Sequence, residues 1–134
     1  MVHLAQAGTQ RSLRKQQLAD ASQISADYVA QILILLRNGG LVRSRRGVQG
    51  GFVIARAPGT ISVADIVEAV DGPICLAPCL AQEACCPRQA KCVTRPVWQR
   101  ATDGLRSLLA EVSLKQLAED ATRKAHKGAP TFEI

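Results

Sequence analysis

An amphipathic segment that ends at a glycine pair most constrains how this chain can fold. Its apolar residues recur at the spacing of one face of an α-helix and are Val29, Ile32, Leu33 and Leu36. Ser25 before it is a favourable N-cap, and Gly39-Gly40 after it is a favourable stop. We therefore predict a helix over residues 26–38. A shorter helix over residues 15–21 precedes it, across a turn of four residues.

The segment after the glycine pair predicts a β-hairpin. Residues 41–45 and 52–56 alternate apolar and polar side chains, as half-buried strands do. Residues 47–51 between them are rich in glycine, which supplies the positive φ angles of a tight turn. A capping box then opens a helix over residues 62–70. The expected fold class is mainly α with a small β-hairpin, in the order of a winged helix-turn-helix.

A long helix is predicted over residues 95–112. One set of its residues is spaced 3, 4, 3 and 4 along the chain, as in a coiled-coil seam, and comprises Trp98, Ala101, Leu105, Leu108 and Val112. We interpret this seam as the interface of a homodimer; an amphipathic helix packed on its own domain is the alternative. Residues 1–72 then form a winged helix-turn-helix domain, 73–94 a cysteine-rich loop, and 95–126 the dimerisation helix with a C-terminal helix.

The excess positive charge of the chain lies entirely in its first half. Residues 1–64 hold eight lysines and arginines against two acids, whereas residues 65–134 hold nine of each, so the net charge of +6 belongs to the first part. The stretch from Tyr28 to Ala64 contains five arginines and no acid. Such a patch neutralises phosphates and releases counterions, which is typical of proteins that bind nucleic acid. A basic face exposed only to solvent is the alternative.

Candidate DNA contacts lie on the second helix and on the hairpin. The helix face opposite the apolar residues carries Tyr28 and Gln31. Gln31 can pair with adenine, and Tyr28 can reach a phosphate or a thymine methyl group. The candidates on the hairpin are Arg43, Arg45, Arg46 and Gly50. Because an arginine beside a glycine tip can enter a minor groove, we predict that the chain binds double-stranded DNA.

All five cysteines fall within 18 residues, from Cys75 to Cys92. A secreted disulfide scaffold would spread its cysteines along the chain, whereas a local group in a reducing compartment indicates metal binding or thiol redox chemistry. Apart from Cys75 and Cys79, the spacings are wider than those of zinc sites and suit an iron–sulfur cluster. A disulfide switch without metal is one alternative. A small metal or iron–sulfur carrier without a DNA role is another.

Four segments of the chain carry a recognisable pattern: residues 40–52, 61–73, Cys92–Trp98 and Val112–Leu114. They resemble the bacterial winged-helix regulator family of IscR, NsrR and RirA, and the resemblance covers nearly the whole chain. Members of that family are dimeric repressors or activators, and many hold an iron–sulfur cluster on three cysteines of this loop. The resemblance implies Cys79, Cys86 and Cys92 as the ligands here. Cys85 can replace Cys86 in that set.

Departures from the family pattern limit what the resemblance implies. Family members usually begin with a further stretch that ends in a helix, which this chain enters midway at residues 2–7. In the second helix, a frequent Tyr-Leu-Glu-Gln reads Tyr28-Val29-Ala30-Gln31, so we carry over no operator sequence. Arg95 stands where one member type has a histidine ligand, which leaves the fourth ligand open. A three-cysteine site with a labile fourth position favours 4Fe–4S over 2Fe–2S.

Catalytic motifs and membrane segments are not found in the sequence. The two histidines, His3 and His126, lie near the ends of the chain, and no nucleophile–base motif or phosphate loop is present. No apolar run approaches the roughly 18 residues needed to span a membrane, and we expect no signal peptide in the first residues. We therefore expect a cytoplasmic regulator, not an enzyme, whose DNA binding responds to its cysteine loop.

Overall fold

The structure is a computed structural model that describes residues 1–81 and 86–127. Its α-helices are α1 (Val2–Ala7), α2 (Lys15–Ser22), α3 (Ala26–Asn38), α4 (Val63–Asp71), α5 (Pro78–Ala81), α6 (Arg95–Glu111) and α7 (Leu114–Lys127). The strands are β1 (Val42–Arg45) and β2 (Gly51–Ile54), and 3-10 turns lie at Pro58–Thr60 and Gln89–Lys91. This order confirms the expected class, mainly α with a small hairpin. No helix among these residues is both long enough and apolar enough to cross a membrane.

The helix-turn-helix is formed by α2 and α3. Helix α3 begins after Ser25, whose Oγ accepts a hydrogen bond at 3.3 Å from the backbone N–H three residues on. Its predicted apolar stripe faces inward, where Val29, Leu33 and Leu36 are buried. Helix α2 extends one residue beyond the prediction, because the chain leaves the helix only at Gln23, which adopts a left-handed conformation with φ 55°. The turn therefore has three residues instead of four.

The hairpin, which we call the wing (residues 42–54), pairs β1 with β2 in antiparallel register, with Arg45 opposite Gly51. Strand β1 starts one residue later than predicted, and β2 starts one residue earlier and ends two earlier. A further segment, which the sequence did not predict, joins β2. Leu13 exchanges two backbone hydrogen bonds with Phe52, at 2.8 and 3.0 Å. Gly51 permits this contact, because a Cβ there would lie 2.6 Å from the Leu13 carbonyl oxygen.

Both ends of the chain contribute to one cluster of buried apolar side chains. The cluster contains Leu4, Leu18, Ala19, Val29, Leu33, Leu36, Leu41, Val42, Ile54, Ile61 and Leu114. The backbone N–H of Leu114 donates to the Ile61 carbonyl oxygen at 2.8 Å, and Gln6 of α1 donates to Thr122 of α7 at 3.1 Å. Burial of a leucine side chain stabilises a fold by about 1.5–3 kcal/mol. Leu114, which is fully buried, therefore fixes the start of α7 on the N-terminal half of the chain.

Helix α4 connects the wing to α6. It opens with the predicted capping box, in which Ser62 Oγ accepts from the Asp65 N–H at 3.0 Å and the Asp65 carboxylate accepts from the Ser62 N–H at 2.8 Å. Helix α6 packs against α4, where Arg106 forms an ion pair with Glu68 at an N···O distance of 2.8 Å. Helix α6 ends one residue before the predicted position. The path from the wing to the long helix is thus short and runs through α4.

Candidate nucleic-acid interface and cysteine loop

Helix α3 presents a mixed face to solvent on the side opposite its buried stripe. Tyr28 is 54% exposed, and Gln31 and Ile34 on the same side are exposed as well. Residues three apart on a helix are neighbours on its surface, so these side chains can reach adjacent base edges in a major groove. The structure therefore places both DNA contacts predicted on this helix, Tyr28 and Gln31, at the surface.

The arginines predicted as DNA contacts on the wing, Arg43, Arg45 and Arg46, are all exposed. Gly50 lies in the turn, where a Cβ would be 2.6 Å from a carbonyl oxygen of the same turn. Glycine at this position thus allows the turn to close. The Arg45 guanidinium is held in place, because its Nη1 donates to the Gln10 carbonyl oxygen at 2.6 Å.

The tip of the wing is bound to the segment before α2, a contact that sequence reasoning missed. Three side chains donate to backbone carbonyl oxygens across this contact: Ser12 to Gln49, Arg14 to Val48 at 3.0 Å, and Arg45 to Gln10 at 2.6 Å. We call these three bonds the wing latch. The partners are 34 to 37 residues apart in sequence, so no local pattern reveals the pairing. The basic residues 11–15 were the signal that could have drawn attention to this segment.

The predicted seam of α6 faces solvent. All five of its residues are exposed: Trp98, Ala101, Leu105, Leu108 and Val112. A different side of the helix meets the rest of the chain, where Thr102 is buried and its Oγ1 accepts a hydrogen bond from the Leu76 N–H at 3.2 Å. The described part of the chain covers the seam only in part, since Leu105 and Val112 are each 36% exposed and Leu108 is 64% exposed.

The cysteine loop lies between α4 and α6. Its described cysteines are free and half-buried: Cys75, Cys79, Cys86 and Cys92. Cys79 lies in the short helix α5, Cys92 ends the 3-10 turn before α6, and Cys85 lies outside the described residues. Within residues 1–81 and 86–127, no three histidine, cysteine or acidic side chains come together as a metal-binding group. The three predicted ligands thus share one loop, but this structure does not gather their side chains at one point.

The Cys92 thiol lies in surroundings that favour its thiolate. Its Sγ is 3.3 Å from Thr94 Oγ1, and this hydrogen bond, followed by those of the Thr94 and Arg95 backbone N–H groups, lowers the pKa of Cys92. The charge of Arg95 acts in the same direction. Arg95 also donates from Nη1 to the Cys79 carbonyl oxygen at 3.1 Å. Because the thiolate is the form that binds metals and reacts with oxidants, Cys92 is suited to both chemistries.

Comparison with known proteins identifies relatives along most of the chain. The model of the Rrf2 family, described as iron-dependent transcriptional regulators, matches residues 1–120. The HTH-type transcriptional regulator IscR of Xenorhabdus nematophila is 35% identical over 106 residues, which cover 77% of this chain and 64% of that protein. The HTH-type transcriptional regulator CymR of Bacillus subtilis is 32% identical over 118 residues, which cover 88% of this chain and 80% of that protein. The chain thus spans slightly less than two thirds of the IscR protein.

Solved structures agree with this assignment. The structure of CymR (YrzC), the global cysteine regulator of B. subtilis, matches with a TM-score of 0.69 at 30% identity, over 88% of this chain and 86% of that one. T. potens IscR matches with a TM-score of 0.71 at 27% identity, over 98% of this chain and 85% of that one. The winged-helix fold and the resemblance to IscR-type regulators are both confirmed. The chain belongs to the Rrf2 family of transcriptional regulators.

Proposed function

We propose that this chain regulates transcription by binding double-stranded DNA, with α3 in the major groove and the wing in the adjacent minor groove. The observation that carries the proposal is the shared exposure of Tyr28 and Gln31 on α3 and of the wing arginines. A helix fits the major groove, and a narrow minor groove attracts arginine through its negative potential. The relatives of this chain are HTH-type transcriptional regulators, which supports the same conclusion.

The regulator acts as a two-fold dimer that forms through the seam of α6. Exposed apolar side chains at coiled-coil spacing lose their contact with water when a second copy packs on them, which is favourable. Leu108, which is 64% exposed, and Trp98, which is 46% exposed, have the largest apolar surfaces to bury. Two copies related by a two-fold axis would present two α3 helices, as required for two half-sites on DNA.

The cysteine loop holds an iron–sulfur cluster in this proposal, with Cys79, Cys86 and Cys92 as ligands and 4Fe–4S favoured over 2Fe–2S. The donor chemistry fits, since cysteine thiolates are the usual ligands of iron–sulfur clusters and the lowered pKa of Cys92 favours its thiolate. When bound, such a cluster would supply a group that is sensitive to iron supply, oxygen, nitric oxide or redox state. Cys85 remains the alternative to Cys86.

Contacts of the loop connect it to the DNA-binding elements. Arg95 in the first turn of α6 bonds the Cys79 carbonyl, and Thr102, two turns further along, bonds the Leu76 N–H. Helix α6 in turn contacts α4 through the ion pair of Arg106. A change in the conformation of the loop therefore acts on α6 first and on the wing domain next. The loop alters DNA affinity only to the extent that its two conformations differ in their fit to these contacts.

A thiol switch without a cluster is the second candidate. The lowered pKa of Cys92 favours reaction with oxidants as much as it favours metal binding. CymR, whose B. subtilis form is described as the global cysteine regulator, is among the relatives of this chain. A metal carrier without a DNA role, the remaining alternative, has no support from relatives that are transcriptional regulators.

Replacement of Cys92 tests the proposal. We expect Cys92→Ala, purified without oxygen, to lose the visible absorption of an iron–sulfur cluster and to change operator affinity several-fold, within the 1–3 kcal/mol (about 5–150-fold) typical of coupling between sites. The operator is obtained by selection from random duplexes with the wild-type protein. Cys75→Ala is the matched control, because Cys75 is on the same loop but is not among the proposed ligands. It should retain both the absorption and the wild-type affinity.

Other outcomes assign the loop differently. Equal operator affinities of the wild type and Cys92→Ala, with a cluster bound only in the wild type, would overturn regulation by the cluster. A colourless wild-type protein whose DNA binding changes reversibly with thiol oxidation would favour the thiol switch. Absence of binding by the wild type to any selected duplex would contradict the DNA-binding function itself.

A further inference from the structure

A polar cavity of about 320 Å³ lies between the wing tip and the segment before α2. The wing latch spans its two walls, because Arg14 and Arg45 donate across the two segments. The described residues that line it include Arg11, Arg14, Gln17, Arg45 and Val48. These residues include three arginines and no carboxylate. The cavity is therefore a concentrated positive site with no internal counter-charge.

The arginines around the cavity retain donors for a ligand. A guanidinium carries five N–H donors, and the latch uses one from Arg14 and one from Arg45. The latch also fixes the direction of both side chains, so less side-chain freedom is lost when a ligand binds. Among the residues that the structure describes, no hydrogen bond or ion pair of the Arg11 side chain is found. Arg11 is exposed at the same cavity and is available to a ligand.

The start of α2 adds to the positive character of the site. Helix α2 begins at Lys15, directly after Arg14, and the Gln17 side chain at the cavity wall accepts from the Arg14 backbone N–H at 2.9 Å. This bond occupies the Arg14 N–H, and the first turn of the helix contributes the positive end of the helix dipole. Together with the three guanidinium groups, this arrangement suits a singly charged tetrahedral anion that accepts several hydrogen bonds.

We propose that this cavity binds one phosphodiester group of the DNA backbone through Arg11, Arg14 and Arg45. The proposal rests on the proposed DNA-binding function and adds a site to it. Val48 at the tip of the wing is 89% exposed and its carbonyl oxygen is part of the latch, so the cavity is located beside the part of the wing that would enter the groove. Arg45 then contacts the backbone, and Arg46, which does not line the cavity, contacts the groove.

The salt dependence of DNA binding tests this site. Each phosphate contact contributes about 0.9 to the steepness of the fall of log K with log salt concentration, so the affinity lost with one contact grows about 8-fold for each tenfold decrease in salt concentration. We expect Arg11→Gln to reduce the magnitude of the slope by about 0.9. The reduction should be equal on the selected operator and on an unrelated 30-base-pair duplex. Arg11→Lys, which retains the charge, should keep the wild-type slope. Lys124→Gln removes the same charge from α7, far along the chain, and should also keep it.

The same measurements separate the possible failures. Because Arg11 takes no part in the latch, Arg11→Gln leaves the wing attached, whereas Arg14→Gln removes a latch bond and is judged together with its unfolding midpoint. Wild-type slopes in both folded variants would overturn the phosphate site while leaving the DNA-binding function intact. Absence of DNA binding by the wild type would overturn both. Titration with inorganic phosphate is a further arm: saturable binding that Arg11→Gln abolishes, with unchanged DNA slopes, would assign the cavity to a free phosphorylated ligand instead.

Discussion

Arg46 occupies the position between the end of β1 and Gly47, and its side chain is exposed. The neighbouring Arg45 is engaged by the Gln10 carbonyl, so Arg46 is the arginine next to the glycine tip that is directed to the groove in our proposal. We expect Arg46→Ala to weaken operator binding by about 1–3 kcal/mol, because a contact with the bases or groove floor is lost. Gel-shift titrations at one fixed salt concentration measure the difference.

Two comparisons make this measurement specific to the wing. Lys124→Ala removes one positive charge from α7 and should leave the affinity close to the wild-type value. Arg46→Ala should lose more affinity on the operator than on an unrelated duplex, in contrast to the uniform loss expected for Arg11. An unchanged operator affinity for Arg46→Ala would remove this residue from the interface.

The capping box at the start of α4 makes the stability of that helix depend on pH. The hydrogen bond from the Ser62 backbone N–H lowers the pKa of Asp65, and the Ser62 hydroxyl and the charges of Arg56 and Arg106 act in the same direction. A carboxyl group with a folded pKa below its unfolded value of about 3.9 stabilises the fold above that pH. This contribution is lost as the pH falls through the folded pKa.

We expect Asp65→Asn to lower the free energy of unfolding at pH 7 by about 0.5–1 kcal/mol, because the charged acceptor at the helix start is removed. The difference from the wild type should decrease as the pH falls below about 3.9, where the carboxyl of the unfolded chain takes up a proton, and it should vanish below the lowered pKa of the folded Asp65 carboxyl. Urea unfolding at several pH values measures both effects. Asp71→Asn, at the exposed far end of the same helix, should show no such loss. A pH-independent difference for Asp65→Asn would contradict the assignment.

Elements that depend on local sequence were predicted well. Ser25, the buried stripe of α3 and the glycine-rich turn of the wing act within a few residues, and the structure confirms each. The pairing of Leu13 with Phe52 and the wing latch were missed, because they join segments more than 30 residues apart. Their partners are backbone carbonyls, which every residue has and which leave no trace in the sequence. The candidate ligands Cys79, Cys86 and Cys92 come from the family resemblance and not from local sequence patterns, and they stay predictions.

The exposed seam of α6 determines the expected state of the whole molecule. We expect Leu105→Asp to place a charge in the centre of a dimer interface and to release monomers, because burial of an unpaired carboxylate is costly. Sedimentation velocity of the wild type and the variant over a range of concentrations measures the change. A weaker dimer should also bind the operator more weakly, since its two half-sites are then engaged separately.

A second aspartate on the same helix is the control. Ser107→Asp adds the same charge two residues further along α6, at an exposed position outside the seam. It should remain dimeric. An undisturbed dimer for Leu105→Asp would show that the subunits associate through another surface, and a monomeric wild type would contradict the dimer.

The ion pair between Arg106 and Glu68 joins α6 to α4 at a point well along the long helix. The part of α6 from Arg95 to Arg106 is about 16 Å long at 1.5 Å per residue. A displacement of about 1.4 Å at its cysteine-loop end therefore corresponds to a tilt of the helix by about 5°. Helix α4, which contacts α6, also packs against α3. A Cβ at Gly39 would be 2.8 Å from the Ala69 methyl carbon, so the end of α3 and helix α4 are in close contact. A tilt of α6 that moves α4 toward α3 must therefore displace α3 as well.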